Sequence, residues 1–171
     1  MGHNSSSSGC KEEKKMICTP KTYSEWVQML DNLKKKQYDN DILTAMKNGS
    51  LEWQSGVAER FSKRLLETVK SRLNTALDEF QRDINYARGS EGATVQALIK
   101  LRKELCFLTD IVDLPALPEK YRDEYKKIII EQSDKVQKSL EDSAKKDRTG
   151  KMLSIINNHK VNIFSNGGIH V

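Results

Sequence analysis

Residues 52–87 read EWQSGVAERFSKRLLETVKSRLNTALDEFQRDINYA, a stretch with no proline and one internal glycine, Gly56, that ends at Arg88-Gly89. As a single helix it would run about 36 residues, or roughly 54 Å at the standard rise. Its apolar positions fall into two sets. Trp53, Val57, Phe61 and Leu65 recur every four residues, whereas Leu66, Val69, Leu73, Ala76, Phe80, Ile84 and Ala87 keep a nearly regular three-four spacing. A step of four overshoots a full turn by about 40°, so the first set rotates away from the second. The two halves of the helix are expected to bury against different neighbours. Arg72 lies about 100° round the helix from Leu73 and is expected on the solvated face.

Downstream, Ser90 with Ala93, or Glu91 in the first turn, opens another helix. Its residues Leu98, Leu101, Leu105, Leu108 and Val112 follow the a/d pattern of a coiled coil without a miss. Ile99, Phe107 and Ile111 widen the apolar face, and Cys106, inside the run Leu105-Cys106-Phe107-Leu108, reads as an ordinary buried thiol. Leu114-Pro115-Ala116-Leu117-Pro118 stops this helix, with Pro118 suited to the first position of the next. From Glu119 a helical face of Tyr121, Tyr125, Ile128, Ile129, Val136 and Leu140 continues to about Lys146.

Upstream, Thr22 and Glu25 form a capping box for a helix burying Trp26, Met29, Leu30 and Leu33, which should fray at Lys34-Lys35-Lys36. Asp39 or Asp41 can begin a short helix with Ile42, Leu43 and Met46 inside, and Asn48-Gly49 is a stop signal. Residues 1–21, with four serines and the charged run Lys11 to Lys15, read as a flexible arm, and its first residues resemble vector sequence. Over 147–171, Met152, Leu153, Ile155 and Ile156 fit a short helix, while Met152 to Ile156 with Val161 to Phe164 fit a β-hairpin equally well. The expected fold is therefore all-α, an antiparallel helical bundle over residues 22–146 built on one long helix, with that hairpin as a C-terminal alternative.

The composition supports this. With 37% hydrophobic, 31% charged and 6% aromatic residues, the 171-residue chain can bury a core yet leans toward charged amphipathic helices. The net charge of +5 comes from 29 basic against 24 acidic residues, a weak polyanion-binding signal. No apolar run approaches the ~20 residues of a membrane span, and three cysteines cannot all pair within the chain, which favours a reducing, cytoplasmic location.

The chain carries little recognisable chemistry. His3, His159 and His170 are few and terminal, Cys10 and Cys18 have no zinc spacing, and no phosphate-cradling glycine loop or nucleophile elbow occurs. Acidic pairs such as Asp78-Glu79, Asp123-Glu124 and Glu141-Asp142 diverge by about 100° among basic neighbours and read as solvated faces. No catalytic residue, metal or cofactor is expected. Ala45 and Gly49 have the spacing of a helix-turn-helix, but Thr44, Asn48 and Ser55 fall where that motif wants packing side chains.

What remains is a seam: Leu66, Val69, Leu73, Phe80 and Ile84 on the long helix, and Leu98, Leu101, Leu105 and Leu108 on the next. A helix of ~54 Å exceeds what a compact domain of this size usually encloses, so part of the seam is expected to serve a protein partner or a second copy. The function expected is that of a non-enzymatic helical adaptor or assembly protein. Two alternatives stand beside it: nucleic-acid binding through Lys145, Lys146, Arg148 and Lys151 aided by Lys34 to Lys36, or peripheral membrane anchoring if Gly2, in Met-Gly-x-x-x-Ser, is acylated with Cys10, Lys11, Lys14 and Lys15 as a second signal.

Overall fold

A computed structural model of the chain describes residues 17–146, with side chains described through Glu131 and at Asp134 and Lys138. Five α-helices and no strand occur among the described residues: α1 (Tyr23–Lys34), α2 (Asp39–Lys47), α3 (Ser55–Ala87), α4 (Glu91–Val112) and α5 (Glu119–Lys146). None of them is long and apolar enough to cross a membrane. The choice between helix and hairpin for 147–171 lies outside the described residues.

The caps follow from the local sequence. Thr22 Oγ1 accepts from the Glu25 amide at 3.4 Å, while the Glu25 carboxylate accepts from the Thr22 and Lys21 amides at 2.9 and 2.7 Å. Those backbone donors hold the Glu25 carboxyl below its ordinary pKa. Ser90 Oγ accepts from the Ala93 amide at the start of α4. Between α3 and α4 the chain reverses at Arg88 and Gly89, both at positive φ, a conformation glycine adopts without penalty. Pro118 sits one position earlier than its expected slot. Its carbonyl accepts from the Tyr121 and Arg122 amides, so it is the N-cap of α5.

The long helix is 33 residues, about 50 Å, and starts three residues later than the sequence predicts. The reason is Trp53. It folds back in the preceding loop onto Trp26 of α1 and Phe61 of α3, with ring centroids 5.6 and 5.2 Å away, and a helix begun at Glu52 would not make that turn. Residues before α1 are also engaged: Ile17 packs against the core and the Pro20 carbonyl accepts from the Ser50 amide at 3.0 Å. That part of the expected arm is laid against the bundle.

Pairwise contacts give the helix directions. Trp26 meets Phe61, the Leu33 carbonyl meets Arg72 and Lys36 meets Glu79, so α1 runs alongside α3 in the same sense. Arg72 meets Glu104, and Glu79 and Asp83 both meet Lys100; these pairs straddle the turn at 88–90 and make α3 and α4 antiparallel. α5 joins through Tyr125, whose hydroxyl donates to the Ser62 carbonyl at 2.8 Å. Burial raises the pKa of that phenol, and the hydrogen bond only partly offsets the effect.

One apolar core runs through all five helices, from Trp26 and Leu30 through Phe61, Leu65 and Leu73 to Leu105, Leu108 and Ile129. α1 lies along both halves of α3, with Trp26 against Phe61 and Lys36 against Glu79, and one core takes in both apolar sets, so the expected split between different neighbours is not a clean one. Gly49 is required by packing. A Cβ there would stand 2.8 Å from Trp26 Cζ2 and 3.0 Å from Pro20 Cγ, so the Ala45–Gly49 spacing is accounted for by a close approach to a tryptophan.

Candidate functional site

The expectation for Arg72 is overturned. Its side chain is 2% exposed, buried where α1, α2, α3 and α4 converge. Nε donates to Glu104 Oε1 at 2.6 Å and Nη2 to Glu104 Oε2 at 2.8 Å. Nη1 and Nη2 donate to the two oxygens of Asp39, each at 2.9 Å, and Nη1 also donates to the Leu33 carbonyl at 3.0 Å. A guanidinium has five N–H bonds, and here five hydrogen bonds use them. The ring of Phe107 lies beneath, its centroid 4.5 Å from Cζ. The physical reason is that a fully hydrogen-bonded, doubly paired cation can be buried, which an angular offset from Leu73 does not reveal.

Each element supplies what the clamp needs. α1 ends beside it, and the Leu33 carbonyl there, which also accepts from the Lys36 amide at 3.1 Å, has a second lone pair for Arg72. Asp39 is the first residue of α2, where a carboxylate also meets the positive end of the helix dipole. Glu104 and Phe107 sit one turn apart on α4. Burial works against the Arg72 charge, but the hydrogen bonds it donates to Glu104 and Asp39 outweigh it and raise its pKa above the ordinary value. Two carboxylates surround one cation, leaving one negative charge in excess. Asp39 and Glu104 are 27% and 16% exposed, so that excess faces solvent.

It faces an open groove of about 440 Å³ between α2 and α4, lined by Asp39, Ile99, Lys100, Lys103, Glu104 and Phe107 among others. Beside the groove, Glu79 bridges Lys36 and Lys100 at 3.3 Å each, and Lys100 also reaches Asp83 at 3.2 Å. Partial burial pushes the Glu79 carboxyl up, but the two lysines outweigh this and hold it below its ordinary pKa. Among the described residues no group of acidic, histidine or cysteine side chains is arranged to hold a metal ion.

The seam residues meet one another within the chain. Val69, Leu73, Phe80, Leu98, Leu101, Leu105 and Leu108 are buried in the common core, and Leu66 and Ile84 are partly buried against it. Cys106, expected inside, is exposed, because α4 turns its Leu105 and Leu108 inward and position 106 falls on the outer face. Lys34 and Lys35 are exposed at the end of α1, whereas Lys36 is turned to Glu79. Lys145 and Lys146 belong to the last turn of α5, and Arg148 and Lys151 lie outside the described residues, as do Gly2 and Cys10. Arg72, Asp39, Glu104 and Phe107 are the residues that sequence reasoning missed.

Compared with models of known protein families, with curated proteins and with solved structures, the chain finds no match. The fold and its clamp define the class by themselves: an all-α bundle whose convergence point is a buried arginine.

Proposed function

We propose that the chain is a non-enzymatic, cytoplasmic helical adaptor or assembly protein, acting through the outer faces of its helices. The observation that carries this reading is the use made of the buried Arg72 and the two carboxylates around it. Arg72, Asp39 and Glu104 are spent on one another, joining four helices. The seams of α3 and α4 are likewise spent on the core. What the bundle offers to other molecules is its surface, including the exposed Tyr38, Tyr86 and Ile130 and the groove between α2 and α4.

Light scattering on the full chain across a concentration series, together with mass spectrometry of what co-purifies with it from its natural host, tests the reading. Association, or a stoichiometric and reproducible protein partner, is the expected result. A chain that stays monomeric and partnerless, while turning over a small molecule, overturns it.

A further inference from the structure

We infer that the α2–α4 groove is a self-recognition surface whose occupant is the same groove of a second copy of this chain, a step that rests on the assembly reading above. Three features meet there. The Arg72 clamp leaves one negative charge in excess, carried by Asp39 and Glu104 and turned toward the groove. Lys103, exposed on the same groove, forms no ion pair among the described residues, whereas Lys100 is already held by Glu79 and Asp83. Ile99 lines the groove between these charges, half-buried, and stands outside the core cluster that engages the other large apolar residues of α4.

A surface carrying one unpaired cation and one excess anion is complementary to itself under a two-fold axis, because residue i of each copy then meets residue j of the other. A surface of a single sign would repel its copy. Laying two α4 helices antiparallel with the axis between Lys103 and Glu104 sends each Lys103 toward the Glu104 carboxylate of the other copy, with Asp39 beside it. The same operation brings Ile99 of one copy opposite the turn of its mate that carries Phe107. An acidic or basic partner of another kind matches only one half of this pattern.

Sedimentation velocity of the full chain over a hundredfold range of concentration, at about 50 mM and about 500 mM salt, tests the inference. The parent should form dimers that weaken with salt. Lys103→Glu and, independently, Ile99→Asp should each weaken association by about tenfold or more. Both variants should keep the parent's helicity and melting temperature, since neither residue is in the core. Association that persists unchanged in both variants overturns this surface while leaving the assembly reading intact. A parent that is monomeric throughout overturns the inference, and the assembly reading then rests on a different partner alone.

Discussion

The Arg72 side chain, in the middle of the third helix, donates to the backbone carbonyl of Leu33, at the end of the first, across 3.0 Å. That bond helps hold the turn between α1 and α2, together with the backbone bonds from the Lys35, Lys36 and Gln37 amides, and the same guanidinium grips Asp39 where α2 begins. The turn is held in an unfavourable shape: Lys36 and Tyr38 both have positive φ, a region that costs a residue with a side chain roughly 1–2 kcal/mol. Lysine could not replace the clamp. Its three donors on one nitrogen cannot reach two carboxylates and a carbonyl in the planar fork that guanidinium provides.

Relieving that turn should stabilise the protein. Tyr38 is 58% exposed and makes no side-chain cap to α2, so Tyr38→Gly removes strain and little else. A gain of about 0.5–1 kcal/mol is expected in urea denaturation after the flexibility glycine adds to the unfolded chain is deducted. A loss of stability would mean that the tyrosine ring contributes more than its exposure indicates.

Gly49→Ala should do the opposite. The added methyl would stand 2.8 Å from Trp26, whose indole is fully buried and whose Nε1 donates to the Ser50 carbonyl at 3.3 Å. Overpacking of this kind costs about 1–3 kcal/mol. Thermal melts give the magnitude, and a shifted tryptophan emission shows that the indole has moved.

Leu73→Asp should unfold or nearly unfold the chain. Leu73 is 3% exposed in the core between α3 and α4, and an unpaired carboxylate there costs on the order of 3–5 kcal/mol. A variant with the parent's melting curve would place the α3–α4 interface elsewhere on the helix.

Much of this was legible from residues alone. The three-four stripe of Val69, Leu73 and Phe80 is buried in the core as its spacing requires, and Thr22 with Glu25 and Ser90 with Ala93 cap the helices they precede. The clamp was missed because each member looks ordinary by itself: a charged residue beside an apolar one, an acid at a helix start, an acid among lysines. The signal lay in combination. Arg72 interrupts the stripe Leu65, Val69, Ala76, and Glu104 interrupts Ala97, Leu101, Leu108, so two consecutive helices each carry an opposite charge on an otherwise apolar stripe. An antiparallel turn at Gly89 brings them level. The Leu33 carbonyl leaves no mark in a sequence, and neither does the fold-back of Trp53.

Acid should weaken the fold through Glu79. Because its folded-state pKa is depressed, its contribution is present above the ordinary carboxylate value of about 4.3 and is lost as pH falls through the folded value. Arg72 acts in the other sense: its raised pKa gives stability that is complete below the ordinary arginine range and disappears only in strong base. Stability followed by urea denaturation should therefore fall below about pH 4.3, and Glu79→Gln should make that fall shallower. An acid limb identical in the variant would assign the loss to other carboxylates.

The central claim is that four helices are joined by one buried guanidinium, and equilibrium denaturation of Arg72→Ala, followed by tryptophan fluorescence, tests it most directly. Removing the cation leaves Asp39 and Glu104 facing each other without their shared counter-charge, so a loss of about 3–5 kcal/mol is expected. A variant within ~0.5 kcal/mol of the parent, the cost of trimming a solvated side chain, would contradict the clamp and return Arg72 to the surface.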